Sequence, residues 1–203
     1  KGNELFEIKS HQLVEKGMEI GEVGMSGRGA IAGPVVSAAV ILPRGYYPVG
    51  LDDSKKLSKS KREDLYASMQ EKVQFGIGLA TSKEVDRVNV HNASLLAMRR
   101  ALVNLKIRPK IVLIDGKYVP KNIDAFTQSV VSGDSLIPAI AASSIFAKVY
   151  RDNLMRNLSK VHTEYGWENN VGYGTKYHLE GLKKHGLTSE HRCSFAPIYN
   201  MLC

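Results

Sequence analysis

Two aspartates stand out by type and setting: Asp115, which ends the apolar run KIVLI and precedes a glycine, and Asp134, which follows the run FTQSVV and another glycine. Carboxylates at the ends of neighbouring strands can converge on one hard divalent ion, Mg²⁺ or Mn²⁺. The same residues can simply open turns, which aspartate does well. A second group is Gly27, Arg28 and Gly29, where glycines let the backbone approach a ligand and the guanidinium offers a fork that matches phosphate; a plain tight turn is the other reading. A third is Lys55 and Lys56 within DDSKKLSKSKRED, suited either to phosphate contact or to a solvated surface. A fourth is the stretch GYGTKYH followed by HRCSF. It holds Tyr173, His178, His191 and Arg192, which serve as packing and capping groups or as a stacking surface for a sugar or base.

The elements that position these groups alternate along the chain. Residues 18 to 24, 34 to 42 and 73 to 80 read as strands, with a helix over 60 to 72 before the third. Asn92 or Ser94 opens a longer helix with Leu95, Met98, Leu102 and Leu105 on one face. KIVLIDG is a buried strand, and FTQSVVSGD a further strand with its acid at the end. Open α/β sheets bind ligands outside strand ends of this kind. PAIAASSIFAKVYRDNLM makes a helix whose small residues allow close packing, with Pro138 in its first turn. TKYHLEGLKKHG makes a short one closed by Gly186. An early antiparallel meander followed by strand–helix alternation predicts an α/β fold built on a mixed sheet.

Bulk properties agree with a phosphate-bearing partner. The chain has 203 residues, enough for a core without staples, and a formal charge of +8 that favours polyanions. Its cysteines, Cys193 and Cys203, show no zinc-type spacing, so a reducing cytoplasm is the expected setting. The longest apolar stretch, near Val35 to Leu42, is too short to span a bilayer.

Each signal is ambiguous alone, but their succession is not. GRGxxAGPVV, DSKKLS, a long helix, VLIDG, GD, AASxxxAKVxRD, GYxT and HRxSF, across roughly residues 20 to 198, resemble the ribonuclease HII family. The resemblance implies an RNase H-like mixed five-stranded sheet flanked by helices, with a core over residues 1 to 162. A small C-terminal helical region over 163 to 203 would pack on that core and touch substrate. It implies a monomeric endonuclease that cuts RNA in RNA–DNA hybrids and cleaves 5′ to ribonucleotides embedded in duplex DNA. Four carboxylates would hold two Mg²⁺ or Mn²⁺ ions, Asp115 and Asp134 being the third and fourth. Gly27, Arg28, Gly29 and Tyr173 would read the 2′-hydroxyl, and Lys55 and Lys56 would follow DNA phosphates.

The first strand departs from that pattern. The family places Asp-Glu, one small residue, then Gly-Arg-Gly; the ungapped match puts Gly24 and Met25 on the two acids. Neither can ligate a hard ion. Glu22, two residues before Gly24, projects to the same face about 7 Å further back, as a weak candidate ligand. A rival placement takes Glu22-Val23-Gly24 as the family's Glu-Val-Gly and Met25-Ser26-Gly27 as an insertion. The sequence therefore predicts a nuclease of impaired catalytic capacity or, as the alternative, a module that binds RNA–DNA hybrids or embedded ribonucleotides without cutting them.

Overall fold

The computed structural model describes residues 19–52 and 54–202, so Met18, Asp53 and Cys203 lie outside the described residues. Strands β1 (Ile20–Ser26), β2 (Val35–Ile41), β3 (Gln74–Ala80), β4 (Ile111–Asp115) and β5 (Phe126–Val130) form one five-stranded sheet in the order β3-β2-β1-β4-β5. β2 runs antiparallel to both β1 and β3, whereas β4 lies parallel to β1 and β5 parallel to β4. The expected mixed sheet is therefore present. β2, of sequence VVSAAVI, is buried along its whole length, because both faces of the central sheet are covered.

The helices are α1 (Lys59–Met69), α2 (Ser82–Val103), α3 (Gly133–Leu136), α4 (Pro138–Ser159), α5 (Trp167–Asn170), α6 (Lys176–His185) and α7 (Ala196–Leu202). Alternation along the strands sends one set of side chains to α2 and the other to α4. On the α2 side Val23, Ala39, Val112 and Ile114 meet Met98, Ala101, Leu102 and Leu105. On the α4 side Val36, Ala38 and Val40 meet Ala142, Ile145, Phe146 and Val149. Beyond residue 162, Tyr165, Trp167, Val171, Leu182 and Ile198 pack on Ile31, Ala32 and Met155. An isolated antiparallel bridge, Ala32 to His191, helps tie the C-terminal segment to the loop after β1.

Two expectations change in detail. The helix expected from Asn92 or Ser94 begins at Ser82, where Thr81 and Glu84 form a reciprocal capping box. It is interrupted at Asn89 (φ 65°, ψ 164°), and the Asn89 side chain accepts from the Asn92 N–H at 3.0 Å. The sequence signal near Asn92 thus marks a second start within the same helix. Asp134 does not end a strand: β5 stops at Val130, and Asp134 lies in the first turn of α3.

Candidate active site

β1 and β4 are in register at Val23 and Ile114, so one step further along the pair stand Gly24 and Asp115. Side chains alternate on a strand, and both positions face α4. Asp115 Oδ1 accepts the Gly133 N–H at 3.0 Å, which draws the end of β4 against the first turn of α3 and brings Asp115 beside Asp134. Burial, and secondarily the charge of Asp134, raises the Asp115 carboxyl above its ordinary value. Lys55, strongly exposed, reaches to 3.8 Å from Asp134 Oδ2. Lys56 lies beside it in sequence and pairs with Asp52 at 3.4 Å.

The Gly27-Arg28-Gly29 turn continues directly from β1. Gly27 has φ 87°, a left-handed conformation natural to glycine, and a Cβ there would lie 2.0 Å from Arg151 Nε. Arg28 and Gly29 are exposed. A Cβ on Gly29 would lie 3.9 Å from Tyr173 Cε1, so the ring of Tyr173 stands over the turn. The Ile31 and Ala32 N–H groups donate to Gly172 O at 2.9 and 3.1 Å, which fixes the two loops to each other. The structure thus joins Asp115 with Asp134, and Gly27, Arg28 and Gly29 with Tyr173, at the end of β1 and β4.

Glu22 stands apart. It shares the α4 face with Gly24, pairs in register with Leu113 and Val40, and is buried. Burial pushes its carboxyl well above the ordinary value, and Oε2 has no hydrogen-bond partner among the described residues. Among the described residues no three His, Cys, Asp or Glu side chains gather closely enough to hold a metal ion, so Glu22 does not join the aspartate pair. Met25 turns to the other face, against the cluster of Val23, Met98 and Ile114.

A raised carboxylate weakens the fold as pH climbs through its folded-state pKa, because the folded chain must then give up a proton it holds more tightly than the unfolded chain does. Glu22→Met, close in volume, is therefore expected to stabilise the protein by about 1–3 kcal/mol at pH 8 in urea unfolding, the cost of an unsatisfied buried group. The gain should shrink toward pH 4.5, the ordinary glutamate value. A loss of stability at pH 8 would show that Glu22 has a favourable partner.

Four buried polar side chains brace the site. Arg151 and Arg192 are fully buried and donate to backbone carbonyls around the turn. His178 Nδ1 lies 2.9 Å from Tyr173 O, and its Nε2 lies 3.0 Å from His191 Nε2. Burial lowers both imidazoles, His191 to about 4, so both are neutral at pH 7. The available signal was polar residues at fixed places in RD and HR, which periodicity does not interpret. Asp152, in the same RD, serves the helix: it pairs with Lys148 at 2.7 Å.

Known proteins carry the same organisation. Residues 20–198 match the model of the family described as Ribonuclease HII. A ribonuclease HII of Geobacillus sp. (strain WCH70) is 47% identical over 193 residues, 94% of this chain and 69% of that protein. One of Pelagibacter ubique (strain HTCC1062) is 47% identical over 176 residues, 87% of this chain and 95% of that protein. Among solved structures, ribonuclease H2 from Pyrococcus horikoshii OT3 superposes with a TM-score of 0.77 at 23% identity, covering 91% of this chain and 97% of that one. Bst-RNase HIII in complex with Mn²⁺ superposes with a TM-score of 0.71 at 18% identity, over 91% of this chain and 69% of that one. These two likenesses establish the RNase H-like fold, and the family model with the sequence relatives establishes more: the chain belongs to the ribonuclease HII family.

Proposed function

We propose that the protein is an endonuclease of the ribonuclease HII type, acting on RNA–DNA hybrids and on ribonucleotides embedded in duplex DNA, with a metal site reduced to two carboxylates. The observation that carries this reading is the placement of Asp115 and Asp134 at the end of β4 and the start of α3, alongside the turn of Gly27, Arg28 and Gly29 under Tyr173.

The residues present fit one hard divalent cation better than two. Burial first and the charge of Asp134 second raise the Asp115 carboxyl, and a dication between the two aspartates relieves their mutual repulsion. Gly24, across the strand pair from Asp115, supplies no side-chain oxygen. Mg²⁺ or Mn²⁺ held by Asp115 and Asp134 would supply positive charge to a phosphodiester oxygen. The chain's own part is placement. Arg28 and the exposed turn receive the backbone and ribose, Tyr173 packs on the sugar, and Lys55 and Lys56 neutralise neighbouring phosphates. A site short of carboxylates loses transition-state stabilisation, so turnover should fall by orders of magnitude relative to a four-carboxylate site.

The test is incubation of a duplex containing one ribonucleotide, beside an all-DNA duplex, with Mg²⁺ and then Mn²⁺. Slow nicking 5′ to the ribonucleotide alone, lost in Asp134→Asn, is the expected outcome. Cleavage of both duplexes, or none together with no binding preference, would refute the assignment. The contact between Gly24 and α4 favours a second reading, a binder that does not cut; its signature is ribonucleotide-selective binding without any nick under either ion.

A further inference from the structure

The geometry points to Arg151 and Arg192 as positioning residues that lock the Gly27-Arg28-Gly29 turn and Tyr173 into one arrangement, and through it set the discrimination between ribose and deoxyribose. This rests on the reading above that the turn and Tyr173 contact the 2′-hydroxyl.

Both guanidiniums are 0% exposed. Arg192 bridges both limbs of the loop: Nη2 donates to Gly27 O at 2.8 Å and to Gly33 O at 2.7 Å, Nη1 to Arg28 O at 3.0 Å, and Nε to Gly33 O at 2.9 Å. Arg151 holds the far limb: Nε donates to Pro34 O at 2.9 Å and Nη2 to Ala32 O at 3.0 Å. Its Nη1 donates to Val171 O at 2.8 Å, and its Cζ lies 5.7 Å from the centre of the Tyr173 ring. One side chain therefore spans the loop and the segment that carries Tyr173.

The bonds from Arg192 also decide which way the turn's amides face. In a trans peptide the carbonyl of one residue and the N–H of the next point in opposite directions, and no cis peptide is present among the described residues. Gly27 O and Arg28 O are drawn inward, so the N–H groups of Arg28 and Gly29 face outward, toward a bound strand. Only a planar, multiply donating group can hold several carbonyls in this way; lysine offers a compact ammonium instead.

Two buried cations in one braced unit also repel each other. Burial first, and Arg151 second, draws Arg192 down to about 9, which still leaves it charged at neutral pH. Asp152 acts on Arg151 and Asp86 on Arg192, and each carboxylate offsets part of that repulsion. Asp86 accepts from the N–H groups of Cys193 and Ser194, and Asp152 accepts from Lys148.

The test compares the wild-type chain with Arg192→Lys and Arg151→Lys by fluorescence anisotropy in EDTA, using a duplex with one ribonucleotide and its all-DNA counterpart. Far-UV circular dichroism and thermal melts run in parallel. The wild type should prefer the ribonucleotide duplex by about tenfold, the worth of one or two good hydrogen bonds. In each folded variant that preference should fall to within about twofold of unity while affinity for the all-DNA duplex is kept. A folded variant with its preference intact, or one that loses both affinities equally, overturns the inference by showing a purely structural role. If Arg192→Lys does not fold, Arg151→Lys alone decides, since it touches the Tyr173 side of the unit. An absent preference in the wild type would instead sink the functional reading beneath it.

Discussion

Asp115→Asn is expected to abolish metal-dependent nicking and, with divalent ions chelated, to raise the melting temperature. The two effects have one cause. Asp115 is raised by burial and by Asp134, so the folded state holds its proton more tightly than the unfolded chain does. The stability it contributes is complete below the ordinary aspartate value of 3.8, and is lost as pH rises through the higher folded-state pKa. Above that pKa the penalty is present, and asparagine removes it while its Oδ1 can still accept the Gly133 N–H. The gain in melting temperature should disappear as the pH is lowered toward 3.8. Activity moves the other way, because a neutral amide cannot hold a dication against Asp134. Loss of several kcal/mol of transition-state stabilisation corresponds to about 10²–10³-fold or more in rate. Mn²⁺ titration should raise the melting temperature of the wild type and leave that of Asp115→Asn unchanged. Nicking by the variant at the wild-type rate would remove Asp115 from the chemistry.

Gly24→Ala is expected to destabilise the protein by about 1–3 kcal/mol, the cost of overpacking a filled core, measured by urea unfolding at pH 7. A Cβ at Gly24 would lie 2.4 Å from Ser144 Oγ, 2.6 Å from Ser144 N and 2.8 Å from Ser143 Oγ. The backbone nitrogen belongs to the interior of α4 and cannot rotate away as a hydroxyl can. Relief requires the helix to move, and Ile145, Phe146 and Val149 anchor that helix to β2. Gly24→Asp adds a carboxylate to the same contact and should cost more. Pairing it with Met25→Glu should not rebuild a four-carboxylate site, since position 25 faces the apolar cluster on the α2 side. Wild-type stability in Gly24→Asp, together with a larger stabilisation by Mn²⁺, would show that α4 yields readily at this point.

Much of this arrangement was legible in the sequence, and the exceptions have physical causes. β2, apolar but for Ser37, and β4 are apolar runs bounded by turn residues, so their position followed from composition. The first half of α2 was missed because SKEVDRV carries few apolar residues and its start depends on Thr81 and Glu84 capping each other, while Asn89 breaks the period. Asp134 was placed at a strand end because α3 is only four residues long, too short for any periodicity. At the site, the aspartates, the glycine-framed arginine and Tyr173 carried their own chemical signature. The lack of room at Gly24 and the inward grip of Arg151 and Arg192 did not. Both depend on how closely α4 and the C-terminal segment approach β1, a distance set by tertiary packing.

The most direct measurement is the equilibrium affinity of the wild-type chain, in EDTA, for a duplex with one ribonucleotide against the same duplex in DNA alone. A turn and an aromatic ring held in one geometry beside the aspartate pair predict tighter binding of the ribonucleotide duplex by about tenfold without any metal. Equal affinities for the two duplexes would contradict the account at its base.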